Sequence, residues 1–297
     1  MSGPPQEAGD VVADGAAALP TPALRPLVQR YHGYRYLGFA PGVHRGLPSP
    51  SVTVVLSLGP PTLITDHVDA PEPLRRFSTL VGGLGTQAVG IHHDGNQYGV
   101  QLDLTPLGAR RLLGLPVGEL SGSTVALDDV IGRGAGLLRE RLLEAGSWPA
   151  RFGILDAALL ARARAGVTRS PAEPLRHAWH ALVSEGGATR VGELAERLGW
   201  SRRTLGSRFV DEFGVTPKQL ARIVRFDRSK QALATAAQTA GGPSLADVAV
   251  ACGFYDQAHL AREWVALAGC PPSAWLRGED FPIVQAGVAG DGSSSAA

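Results

Sequence analysis

Residues 191–217 read VGELAERLGWSRRTLGSRFVDEFGVTP, and residues 245–272 read LADVAVACGFYDQAHLAREWVALAGCPP. Laid on each other, the two stretches repeat one pattern. Leu194, Ala195 and Leu198 answer to Val248, Ala249 and Cys252, and Gly199-Trp200 answers to Gly253-Phe254. Leu205 and Phe209 answer to Leu260 and Trp264, both pairs four residues apart, and Gly214 and Pro217 answer to Gly269 and Pro272. The offset is 54 residues before the central turn and 55 after it, so the second copy carries one extra turn residue. Self-similarity of this kind marks a structural unit used twice.

Each copy reads as helix, turn, helix. Leu194, Ala195 and Leu198 lie on one stripe at helical spacing. Gly199 ends that helix, because glycine takes the left-handed conformation a helix C-terminus needs. Trp200 plugs the corner, and Ser201 is a good N-cap for the next helix. That helix buries Leu205 and Phe209 and exposes Arg202, Arg203, Thr204, Ser207 and Arg208. Its counterpart exposes Asp256, Gln257, Ala258, His259 and Arg262. A short helix with a buried apolar stripe and an Arg/Gln/Ser/Thr face suits the major groove of DNA. Lys218, at the start of the helix joining the copies, is placed to contact a phosphate, whereas Arg222, Arg225 and Arg228 further along it read as a solvated face. His259 suits a local cap or packing role as well as it suits DNA.

Two such units, with the ending GFYDQAHLAREW…AGCPPSAWLR, resemble the AraC/XylS class of transcription regulators over residues 175–277. The resemblance implies two recognition helices entering successive major-groove turns on one face of the duplex. The joining helix, Thr216 to Ala237, would hold them about one DNA turn (~34 Å) apart. It also implies that Arg203, Gln257 and Arg262 meet bases or phosphates. Two departures stand out. The class has Ser-Arg after the buried leucine of the first unit, but here Gly206-Ser207 follows Leu205 and the arginine comes one place later, at Arg208. That turns the charge by about a third of a turn, and glycine in a helix interior costs roughly 1 kcal/mol against alanine. In the second unit the usual Phe-Lys is Trp264-Val265, which removes a phosphate-binding lysine.

The chain has 297 residues, which suggests two domains, and a net charge of +1, which alone does not point to nucleic acid. The local balance does: from Arg202 to Lys230 there are eight Lys/Arg against Asp211, Glu212 and Asp227. Such a stretch attracts phosphate in a salt-dependent way. No apolar run approaches the roughly 18 residues of a membrane span, and no signal pattern opens the chain. The expected location is the cytoplasm, where a disulfide between Cys252 and Cys270 is not expected.

Upstream, the fold class is α+β. Residues 1–22 and 285–297, rich in Gly, Ala, Ser and Pro, read as a disordered leader and tail. Residues 23–165 form a β-rich sensory or dimerisation domain, 166–174 a linker, and 175–281 the all-α domain with two helix-turn-helix units joined by a long helix. SVTVVLSLG, LITDHV, FSTLVGG, QAVGIHH and QYGVQLDL are strand candidates, and Asp94-Gly95-Asn96 is a hairpin turn. Six to eight strands in a small barrel or sandwich are expected. Thr105 caps a helix with Pro106 in its first position. A helix over 127–143 and another over 152–163 follow. The segments GYRYLGFAPGVHRGLPSPSVTVVLSLG and YGVQLDLTPLGARRLLGLP are similar to an N-terminal domain of such regulators in high-GC bacteria, a resemblance over residues 28–165.

No chemistry rises from the remaining residues. His44, His67, His92 and His93 fall in the β-domain, but neighbouring side chains of a strand point to opposite faces, so no convergent metal set is expected. A Gly-x-Ser-x-Gly elbow, a phosphate loop and HExxH are all missing from the sequence. The reading is a non-enzymatic regulator with no cofactor and no metal. Its partners are double-stranded DNA, RNA polymerase, a second copy of the chain, and a small-molecule effector of unknown identity. In the alternative reading, the N-terminal domain only dimerises or binds a protein. An apolar cavity with convergent polar groups would favour the first, and a solid β-core with an exposed apolar helix face the second.

Overall fold

A computed structural model describes residues 11–68, 72–165, 170–237 and 243–278. The N-terminal domain is built on two antiparallel sheets that do not close into a barrel. The larger contains β1 (Val12–Ala18), β2 (Val28–Leu37), β9 (Gln97–Leu104), β4 (Val52–Ser57), β7 (Thr79–Gly82) and β10 (Thr124–Ala126), in that order. The smaller contains β3 (Gly42–Gly46), β8 (Val89–His93), β5 (Thr62–Thr65) and β6 (Arg75–Phe77). Ten strands thus replace the six to eight expected among the described residues.

Strand alternation explains the layering. Val52, Val54 and Leu56 of β4, with Val100, Leu102 and Leu104 of β9, are buried in the core shared with the helices. The intervening Val55 belongs to a separate cluster with Tyr34, Tyr36, Ile64 and Leu80, between the two sheets. The leader expected over residues 1–22 is corrected in part. Val12–Ala18 is an edge strand, with Val12 opposite Leu37 and Ala18 opposite Tyr31. Its small residues lack the hydrophobic alternation that would have marked it, and its backbone hydrogen bonds need none. Residues 1–10, 166–169 of the expected linker and the expected tail over 285–297 lie outside the described residues.

Thr105 caps α1 (Pro106–Leu113), its hydroxyl accepting from the Gly108 amide at 2.9 Å. The single helix expected over 127–143 is two, α2 (Leu127–Ile131) and α3 (Gly134–Glu144), split at Gly132 with φ of 70°. The split changes the buried face: Leu142 is buried, whereas Leu137 and Leu143 are exposed. Helix α4 (Trp148–Ala165) starts four residues before the stretch expected and lies against the larger sheet.

The C-terminal domain comprises α5 (Glu173–Ser184), α6 (Val191–Arg197), α7 (Arg202–Phe213), α8 (Pro217–Ala237), α9 (Leu245–Ala251), α10 (Gln257–Ala268) and α11 (Pro272–Gly278). The repeat holds at the level of the backbone. Gly199 and Gly253 have φ of 67° and 79°, and Gly214 and Gly269 have 75° and 76°. In the first unit, Trp179 of α5 packs on Phe209 and Phe213, with ring centroids at 6.1 and 4.7 Å. In the second, Trp264 packs between Phe226 and Trp275 at 4.8 and 5.1 Å. The Trp264 indole donates to Ser229 Oγ at 2.9 Å, and Ser229 Oγ donates to the Phe226 carbonyl at 2.7 Å. The departure from phenylalanine at Trp264 thus comes with a buried partner for the extra N–H.

Candidate nucleic-acid interface

Helices α7 and α10 are the second helices of their units, and both begin on a side-chain cap. Ser201 Oγ accepts from the Thr204 amide at 3.0 Å, and Asp256 Oδ1 accepts from the His259 amide at 2.6 Å. Asp256 therefore serves α10 as its cap, a task that occupies one carboxylate oxygen. His259 acts locally as well. Its Nδ1 accepts from the Tyr255 amide at 3.2 Å, and its ring stands edge-on to Phe254 at 5.5 Å. The Thr204 hydroxyl lies 2.9 Å from Ser201 Oγ.

The arginines of α7 divide. Arg203 is exposed and has no hydrogen bond or ion pair among the described residues. Arg202 lies across Gly192 of α6, where an added Cβ would come within 2.5 Å of its Nη2. Arg208 sits over the Trp200 ring at 4.7 Å. It corresponds to Glu263 of α10, which faces α8 and pairs with Arg222 at 2.7 Å. The one-place shift noted in the sequence thus turns Arg208 towards the protein's own corner tryptophan. Ser207, Lys218, Gln257 and Arg262 are exposed and without such a partner among the described residues. Tyr255, 89% exposed immediately before the α10 cap, joins this surface; sequence reading passed over it because turn aromatics normally plug the core.

Residues 194–278 match a helix-turn-helix domain family. The chain carries an AraC-type helix-turn-helix domain. A chain with this domain is a DNA-binding transcription regulator. Residues 16–126 match a domain family of unknown function, DUF6597. The structure is similar to that of an apo single-residue variant of ToxT from Vibrio cholerae strain SCE256, with TM-score 0.50, 11% identity and coverage of 83% of this chain and 97% of that one. ToxT from Vibrio cholerae O395 gives 0.49, 12%, 83% and 96%. The AraC-like transcriptional activator CuxR gives 0.28, 15%, 71% and 93%. At these identities the likeness to ToxT is one of fold. No curated protein matches the chain.

In the AraC-type domain, the arginines of α8 correct the sequence reading. Arg222 binds Glu263, Arg225 donates to the Gly187 carbonyl at 2.7 Å, and Arg228 donates to the Ala251 carbonyl at 3.2 Å. Rather than a solvated face, they tie the joining helix to both units. Helical spacing alone could not have separated the two, because their partners lie 41, 38 and 23 residues away. Cys252 is buried, and burial pushes its thiol up, the reverse of an activated thiolate.

The N-terminal domain grips the AraC-type domain at the C-terminal ends of α7 and α10. Arg110 of α1 pairs with Glu212 of α7 at 2.7 Å. Ser121 Oγ donates to the Gly214 carbonyl at 2.7 Å, and an added Cβ on Gly214 would fall 2.3 Å from Ser121 Cβ. At the second unit, Arg45 Nε donates to the Ala268 carbonyl at 3.1 Å, and Leu47 and Ala88 are buried in that unit's core. Nothing in the sequence marks these contacts, since each joins residues with no common motif.

Between the two sheets lies a cavity of about 390 Å³. Val55, Ile64, Leu80, Val89 and Ile91 line its apolar side, while Ser51, Thr53, Thr62, Gln101 and Thr124 bring polar groups to it. His67 and Gln87 at its edge also line the groove against the end of α10. His67 is bound to Glu72 at 2.7 Å, which pushes its imidazole up. The rings of His44 and His93 are 5.5 Å apart, and burial first, then His93, lowers His44 to about 3. No cluster of three or more His, Cys, Asp or Glu that could hold a metal occurs among the described residues.

Proposed function

We propose that α7 and α10 enter successive major-groove turns on one face of a DNA duplex. The observation that carries this reading is the set of exposed, unpartnered side chains on the two capped helices: Arg203 and Ser207 on α7, Gln257 and Arg262 on α10. Helix α8 spans 21 residues, about 30 Å at the helical rise, close to the ~34 Å of a DNA turn. Lys218 at its start meets phosphate. Arg202, Thr204 and Asp256 position the helices, His259 and Tyr255 flank the second, and Arg208 supports the Trp200 corner. The regulator works in the cytoplasm, with RNA polymerase as a further partner.

The N-terminal domain is a small-molecule sensor. A cavity with an apolar side and convergent hydroxyl and amide groups supports this over a purely dimerising domain, because a solid core would leave no such space. Dimerisation rests on the exposed Leu137 and Leu143 of α3. The decisive experiment is capture of genomic DNA fragments by the purified full chain, followed by footprinting of the best fragment. Protection of two patches about 10 base pairs apart on one face is expected. A single patch, or protection without sequence preference at low salt, refutes the two-helix reading.

A further inference from the structure

A second hollow lies on the other side of the larger sheet, away from the inter-sheet cavity. Its floor is Leu56 and Leu102, its walls come from α1 to α4 and include Ile131, Leu138 and Leu159, and its volume is about 290 Å³. Its lining is almost wholly apolar, with two exceptions, Arg141 of α3 and Arg162 of α4. Arg162 donates to the Leu112 carbonyl, and burial lowers its guanidinium. Neither arginine has a carboxylate partner among the described residues, whereas Arg30, Arg75, Arg110, Arg176, Arg190 and Arg222 each do. Both guanidinium groups border one apolar opening, and Arg162 has given up part of its hydration. An anion at this opening offsets that cost, and the planar fork of arginine matches a carboxylate in two parallel hydrogen bonds.

We propose that this trough binds an amphipathic carboxylate with a short alkyl chain, the chain on the leucine floor and the head group against Arg141 and Arg162. The size sets the chain length: the trough is at the lower end of small-molecule pockets, which start near ~300 Å³, so a medium chain fits and a long-chain lipid does not. The site is separate from the inter-sheet cavity and does not depend on that cavity's role.

Isothermal titration of the full chain with decanoate tests it, with decanol and decyltrimethylammonium as matched probes. Decanoate binds at one site, and the neutral and cationic probes bind at least about tenfold more weakly, the scale of a charge-assisted hydrogen bond. Arg141→Ala, at an exposed position, weakens decanoate by a similar factor without shifting the urea midpoint. Ala158→Phe, which fills the trough from α4, abolishes binding. Thr53→Phe, in the inter-sheet cavity, leaves it unchanged. Equal binding of decanol, loss of binding in Thr53→Phe but not in Ala158→Phe, or no decanoate binding at all overturns the proposal. If, in that last case, Ala158→Phe also converts a dimer to monomer in sedimentation, the trough belongs to a second copy of the chain.

Discussion

The Arg110 guanidinium and the Glu212 carboxylate, 102 residues apart, meet at 2.7 Å where the N-terminal domain rests on α7. Burial pushes the Glu212 carboxyl up and Arg110 opposes that shift. Arg110→Ala leaves a largely buried carboxylate alone and is expected to destabilise the chain by about 2–3 kcal/mol at pH 7. Because the orphaned Glu212 then favours its protonated form in the folded state, the loss shrinks as pH falls. Glu212→Gln removes the charge and that pH dependence with it. Urea midpoints at pH 7 and pH 5.5 check this; a deficit in Arg110→Ala that grows at lower pH contradicts it.

Arg262 and Lys218 are expected to fail differently. Arg262→Ala weakens the specific site by about 1–3 kcal/mol, the scale of one bidentate base contact, and hardly changes binding to unrelated DNA. Lys218→Ala weakens all sequences alike and lowers the slope of log affinity against log salt by about 1. Titrations at three salt concentrations separate the two. Arg262→Ala affinity equal to the parent's at matched salt removes Arg262 from the interface.

Gly206 has open space where its Cβ would stand. No packing among the described residues requires glycine there, so Gly206→Ala is expected to stabilise the chain by about 0.5–1 kcal/mol. If the same variant loses DNA affinity, the glycine serves close approach to the duplex. Unchanged affinity shows that the position is free. A thermal melt and one footprint on the same preparation decide both points.

His44 makes the β-domain acid-sensitive. Its folded-state value of about 3 lies below the unfolded value of 6.5. Below pH 6.5 the unfolded chain takes up a proton that the folded chain refuses, so stability falls with pH until about 3, by at most about 1.4 kcal/mol per pH unit from this group. His44→Phe flattens that limb of the stability curve. A parent whose urea midpoint is the same at pH 6.5 and 4.5 contradicts the assignment.

The doubled helix-turn-helix was legible because each unit is local. Its apolar spacing, its Gly-aromatic turn and its caps lie within about 25 residues, so propensity and periodicity point the same way. The same locality recovered Thr105 and strand β9. The edge strand β1 was not legible, because strand pairing uses backbone groups that every residue carries, and Gly-Ala stretches show no alternation. The break at Gly132 was missed because glycine inside an amphipathic run is as often tolerated as it is a stop.

What this sequence determined alone was the type of its C-terminal domain and the helices that face outward from it. Which of the outward arginines stay free was decided by tertiary structure. Among the described residues Arg203 and Arg262 stay free, while Arg208 is held on Trp200 and Arg222 on Glu263. The physical reason is that a guanidinium reads the same in sequence wherever it stands. Only the partner that folding brings into contact separates a brace from a guanidinium left exposed to solvent.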